Sequence, residues 1–215
     1  MMTALTNLVS REGTRSRFES SAFIFWMAVC CQLVISQARA TDAAGDVEDL
    51  KGSAFAEAGK QHRTLEKASP IYVGDHVSTA AASRLTMHLG ADTTIKLGEN
   101  TQLVIDKFLP QTGGEISLES GSMLFDHPPG GRRTPVQIRS AYAIIAVRGT
   151  QFFAGPSKGV FGVFVQAGSI EVSGAGTTVT LGPGQGTDLD KPGAAPTPPA
   201  NWGQPRIDAA YDSVR

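Results

Sequence analysis

Short alternations of apolar and polar residues, broken by Gly, Pro, Asn or Asp, recur along most of this chain. In residues 83–89, Leu85, Met87 and Leu89 share one face while Arg84, Thr86 and His88 share the other. Ile95 and Leu97 alternate with Thr94 and Lys96, and Leu103 and Ile105 alternate with Gln102 and Asp106. A period of two marks a strand with one buried face. The pattern predicts strands over 52–58, 70–73, 76–79, 83–89, 93–97, 102–107, 115–119, 122–125, 136–140, 143–147, 151–154, 160–166, 169–173 and 177–181. No long stretch repeats at a helical period. The best helical candidate, 46–59, is interrupted by Gly52, which costs a helix about 1 kcal/mol relative to Ala.

Glycines punctuate the strands at Gly74, Gly90, Gly98, Gly114, Gly121, Gly168 and 182–186. Short strands with a turn about every 8–12 residues indicate a sandwich, barrel or solenoid. The expected fold is all-β, a short β-solenoid or β-roll-like stack of strands with Gly corners. The irregular spacing keeps a jelly-roll-like β-sandwich as the alternative. The nine residues from His127 to Pro135 form a Pro/Gly-rich loop, and the Pro/Ala-rich stretch 191–205 reads as an extended or disordered tail. Residues 206–215 suit at most a short turn of surface helix.

The N-terminus changes the picture. Arg11, Arg15 and Arg17 precede an uncharged, mostly apolar run at 22–35, and Ala38-Arg39-Ala40 follows as a small-x-small cleavage pattern. That order is a secretory signal. The 14-residue run spans only about 21 Å as a helix, against a hydrocarbon core of roughly 30 Å, so no retained membrane span is expected. The predicted organisation is a signal peptide at 1–40 cleaved between Ala40 and Thr41, a flexible lead-in at 41–46, a β domain at 47–190 and a tail at 191–215. The expected location is the periplasm or the exterior. Cleavage removes both cysteines, Cys30 and Cys31, and with them any disulfide or thiol chemistry. It also removes Arg11, Arg15, Arg17, Arg39, Glu12 and Glu19, moving the formal net charge from −1 to −3. Such a balance gives no electrostatic reason to expect nucleic acid.

Catalytic chemistry finds little support. His62, His76, His88 and His127 are not spaced as metal ligands, no G-x-S-x-G occurs, and 182–186 lacks the Lys-Ser/Thr and helix of a P-loop. The carboxylates are scattered through turns. We therefore expect no enzyme, no catalytic residue, no metal and no cofactor. Arg132 and Arg133 read as a solvated loop, with contact to an anionic envelope polymer as the sharper alternative. Phe152, Phe153, Phe161 and Phe164 read as core, although adjacent rings at 152 and 153 cannot both face the same interior.

Four stretches taken in order resemble the FecR family. They are Gly74-Asp75 followed by Thr79; the alternating 83–89 segment with Asp92, Ile95, Leu97 and Asn100 after it; Val147-Arg148-Gly149-Thr150 followed by Phe152; and 163–172, where Gly168 precedes a strand, with Gly184-Gln185 after it. The resemblance runs from about residue 47 to 187. It implies an extracytoplasmic β domain and assigns these motif residues a structural role. It also suggests Asp75 as the partner of Arg148. An inward Arg148 pinning two strands, satisfied by carboxylate or carbonyl acceptors, is the first reading of that residue; a ligand contact is the second. Iron-siderophore sensors of the family carry a cytoplasmic anti-sigma domain and a membrane helix before the β domain. The roughly 20 residues preceding the apolar run are too few for such a packed domain. The expected function is thus a non-enzymatic envelope binding or scaffolding module for a protein or glycan partner. The alternative is a component of FecR-type iron-uptake signalling that works through a separate membrane partner. A cupin-like enzyme is the weaker alternative.

Overall fold

The computed structural model describes residues 43–109, 113–127 and 135–215, and of Leu109 and Arg148 only the backbone. The export segment, Ala38, Ala40, Arg132 and Arg133 lie outside the described residues. The strands are β1 (Ala43–Lys51), β2 (Ala54–Ala58), β3 (Gln61–Thr64), β4 (Pro70–Tyr72), β5 (His76–Thr79), β6 (Arg84–Leu89), β7 (Thr93–Leu97), β8 (Gln102–Leu109), β9 (Gly113–Ser120), β10 (Met123–Asp126), β11 (Val136–Ser140), β12 (Ile144–Ser157), β13 (Val160–Gly174), β14 (Thr177–Leu181), β15 (Gln185–Leu189) and β16 (Ala200–Asn201). One helix, α1 (Gln204–Asp212), follows among the described residues. The fold is all-β, as the alternation predicts.

All strands join one open sheet with the order β3-β2-β5-β8-β9-β11-β12-β10-β7-β6-β1-β4, and β13 to β16 branch from β12. Neighbours run antiparallel throughout, except that β9 and β11 are parallel. Strand β12 is the junction. Its first half pairs with β11 and its second half with β10, while β13 follows almost its whole length. The register shifts between Arg148 and Gln151, a bulge that divides the sheet into two wings.

Inward residues of both wings form one core. Val77, Leu103, Ile116 and Ile138 come from one wing, and Leu85, Ile95, Phe125 and Phe152 from the other. The wings therefore face each other across a shared interior. Such burial contributes about 1.5–3 kcal/mol for each large apolar side chain.

Three expectations are corrected. Residues 43–51 are strand, neither lead-in nor helix: a bulge between Val47 and Asp49 breaks the two-residue period there. Residues 144–147 and 151–154, expected in separate strands, are parts of one strand, and so are 160–166 and 169–173. The C-terminal segment packs as a strap over the outer face of the second wing. Trp202, Ala210, Tyr211 and Val214 bury Leu124, Phe153 and Phe164 in a second cluster. Phe152 and Phe153 do point to opposite faces, yet both are buried because the strap covers the outer one.

Candidate functional site

The motif residues build the frame of the surface. Asp75 is buried in the turn from β4 to β5, where its Oδ2 accepts the Tyr72 N–H at 2.8 Å and pairs with the Arg63 guanidinium. Arg63 also donates to the Pro70 carbonyl at 2.9 Å and lies over the Tyr72 ring. Asp75 thus ties strand β3 to this turn through Arg63, while the expected Arg148–Asp75 pairing involves a side chain outside the described residues. The Arg148 backbone pairs with Ser169, and its side chain lies outside the description. Gly74 precedes the carboxylate in the same turn, and its N–H reaches the Ile105 carbonyl at 2.7 Å.

Thr79 starts a line of buried hydroxyls at stacked strand ends. Its Oγ1 donates to the Gly98 carbonyl at 2.6 Å and accepts the Thr101 N–H at 3.0 Å. Thr101 Oγ1 in turn accepts the Ser122 N–H at 3.1 Å, and Ser213 of the strap donates to Ser122 at 3.3 Å. These contacts satisfy backbone groups where strands end.

The bulge follows from its glycines. Gly149 holds φ at +60° and Gly168 at +85°, a region that residues with a Cβ rarely occupy. A Cβ on Gly168 would stand 2.4 Å from the Gly149 carbonyl oxygen. Thr150 donates from Oγ1 to the Ser169 carbonyl at 2.9 Å, and Val147 and Phe152 enter the core on either side. Gly184 and Gln185 close the turn into β15: the Gly182 N–H donates to Gln185 Oε1 at 2.8 Å, and the Gly184 N–H to the Val165 carbonyl at 2.9 Å.

Beside this bulge the outer sheet face carries a depression of about 420 Å³. Its floor is Ala146, whose neighbours in register are Gln137 on β11 and Glu171 on β13, with Thr180 beyond on β14. A small residue between longer ones leaves the hollow, and Ser169 and Pro135 complete its rim. The rim offers amide, hydroxyl and carboxylate groups. Next to it, Arg139 pairs with Glu115, and the Ser173 and Thr178 hydroxyls meet at 2.8 Å.

A second polar recess lies between the strap and the second wing, lined by Lys96, Gln151, Gln166, Asp208, Tyr211 and Arg215 among others. Burial pushes the Tyr211 phenol from 10.0 up to about 12, with Arg215 pulling it down and Asp126 pushing it further up. The histidines do not converge. His62 pairs with Glu57 at 3.0 Å, His88 with Glu48 at 3.3 Å, and His127 meets Thr93 at 3.0 Å. Among the described residues no three His, Cys, Asp or Glu side chains are placed to hold a metal ion. No helix among them is long and apolar enough to cross a membrane.

Sequence reasoning missed the Ala146 depression, the strap and the Tyr211 environment. Each depends on register between strands distant in the chain. The alternation that puts Ala146 outward was legible; which side chains flank it was not.

The fold and its surface define an open all-β domain with polar concavities at a glycine-dependent bulge. The family model described as FecR protein matches residues 75–171. Two crystal structures of a putative anti-sigma factor from Parabacteroides distasonis ATCC 8503 have a similar fold, one at 1.65 Å and one at 2.50 Å resolution. Each is 17% identical with a TM-score of 0.51 over 62% of this chain; the match spans 63% of the relative's chain in the first and 62% in the second. Likeness at that identity concerns the fold. Comparison with curated proteins finds no match.

Proposed function

We propose that this chain is a regulatory, non-enzymatic component of FecR-type signalling that works outside the cytoplasm by contact with a protein partner. The observation that carries this reading is the FecR match over residues 75–171, on a fold shared with the Parabacteroides protein. It favours signalling over a plain scaffolding module. The contact face is the outer surface of β11 to β14 around Ala146, which presents hydrogen-bonding groups beside the family's motif strands. Export follows from the segment at 1–40, and the partner supplies the membrane link.

Two measurements test this. A photo-cross-linking residue at Ala146 should give a discrete adduct with a membrane-bound regulatory or receptor protein in living cells, and the same residue at exposed Thr64 should not. Equal adducts from both positions, or none, would refute the contact face. N-terminal sequencing of the protein from the envelope fraction should begin at Thr41. An intact Met1 would overturn the export reading.

A further inference from the structure

A separate cleft of about 370 Å³ shares no lining residue with the Ala146 hollow. Three chain reversals meet there. The turn after β9 brings Ser120, the turn before β12 brings Tyr142, and the β12–β13 hairpin brings Pro156 and Phe161. The lining is partly aromatic: the Tyr142 ring stacks on Phe161 at 4.5 Å between centroids and 7° between planes. Phe161 is buried and anchored in the core, while Tyr142 is half-buried. Exposed carboxylates of Glu119 and Asp190 line the opening. Among the described residues neither carboxylate makes an ion pair or hydrogen bond. Among the described residues no cation lines the cleft; Lys158 and Lys191 stand beside it in sequence but outside the lining.

This combination selects its occupant by charge and shape. Two unpaired carboxylates in a lining that also holds a stacked aromatic pair disfavour an anion and leave an apolar group without use for the charges. A guanidinium satisfies both features, because it stacks on aromatic faces and bonds carboxylates through a planar fork. Its methylene stem can lie along Pro156 and the hairpin while the head stays at the rim. An ammonium is more strongly hydrated and gains less from the ring.

We propose that this cleft receives an arginine side chain of the partner polypeptide. The proposal deepens the protein-contact reading by naming the chemistry of one anchor point. The test uses the exported chain, isotopically labelled, titrated with an N-acetylated and amidated Gly-Ala-Arg-Ala-Gly peptide and followed by amide chemical shifts. The expected result is saturable shifts confined to Ser120, Tyr142, Phe161 and Asp190. The citrulline analogue, which keeps the shape and loses the charge, should bind about tenfold more weakly or not at all. The E119Q/D190N double variant should lose about tenfold in affinity with its spectrum otherwise unchanged, and Tyr142→Phe should retain binding. Equal binding of the citrulline peptide, shifts scattered over the surface, or undiminished binding by the double variant would each overturn the proposal. Failure here with a specific adduct from Ala146 removes the cleft alone. Binding here without that adduct supports the cleft and removes the Ala146 contact face.

Discussion

The strap offers the sharpest test of the packing, through a single methyl group. Gly162 on β13 lies against the Trp202 indole. A Cβ there would stand 2.7 Å from Cη2 and 2.9 Å from Cζ2 of the ring, and 3.1 Å from the Arg206 guanidinium. Carbon atoms in contact prefer about 3.5–4.0 Å, so the ring must retreat by roughly 0.8 Å. It has little freedom to do so. Trp202 stacks on Phe164 at 5.2 Å, and Arg206 lies 3.5 Å from the ring centre while gripping Asp188 at 2.6 and 3.1 Å. Overpacking of this kind costs about 1–3 kcal/mol. Gly162 does not need a positive φ, so the backbone itself accepts alanine. With the indole gone, Gly162→Ala should stabilise by about 0.5 kcal/mol through the unfolded chain. Trp202→Ala alone should cost about 3 kcal/mol. Urea unfolding of both single variants and the double variant, followed by circular dichroism, gives the coupling, expected near 2 kcal/mol. Equal destabilisation by Gly162→Ala with and without Trp202 would refute the contact and the strap's placement.

Other consequences are direct. Asp75→Ala should destabilise by about 2–3 kcal/mol in urea, since it strands the Tyr72 N–H and removes the carboxylate from Arg63; Asp75→Asn, which keeps an acceptor, should cost less. Gly168→Ala should cost about 2 kcal/mol or more, because strain at positive φ adds to the clash with the Gly149 carbonyl. Tyr211 ionises in the folded protein at about 12 and in the unfolded chain at 10.0. The unfolded state therefore loses the proton first, and stability falls as pH rises from 10 towards 12. Removing this tyrosine with Tyr211→Phe should flatten that part of the stability profile.

Several features of the fold were written in local pattern. Leu85, Met87 and Leu89 announce β6 because one face of it is buried throughout. Strand β1 was hidden, because a bulge between Val47 and Asp49 moves the next inward-leaning apolar residue to Leu50. Gly168 reads as a turn entering a strand; with Gly149 it lets two long strands bend while staying paired, a distinction made by the partner strand. Trp202 sits among prolines and glycines, which conceals a residue that closes a second core. Asp75 was readable as important, but its partner was not: Arg63 lies on a strand the alternation did not reveal. The Ala146 hollow and the Tyr142–Phe161 pair required cross-strand register and the meeting of turns, which no single segment encodes.

The central claim, that this FecR domain regulates by contact through its outer sheet face, is tested most directly by transcript profiling. Three strains are compared: wild type, a deletion, and one producing Ala146→Arg, a change at an exposed strand position that leaves the core untouched. Deletion should alter a bounded set of transcripts under one promoter class, and Ala146→Arg should reproduce that change at normal protein level. Transcript profiles identical to wild type in both strains would contradict it.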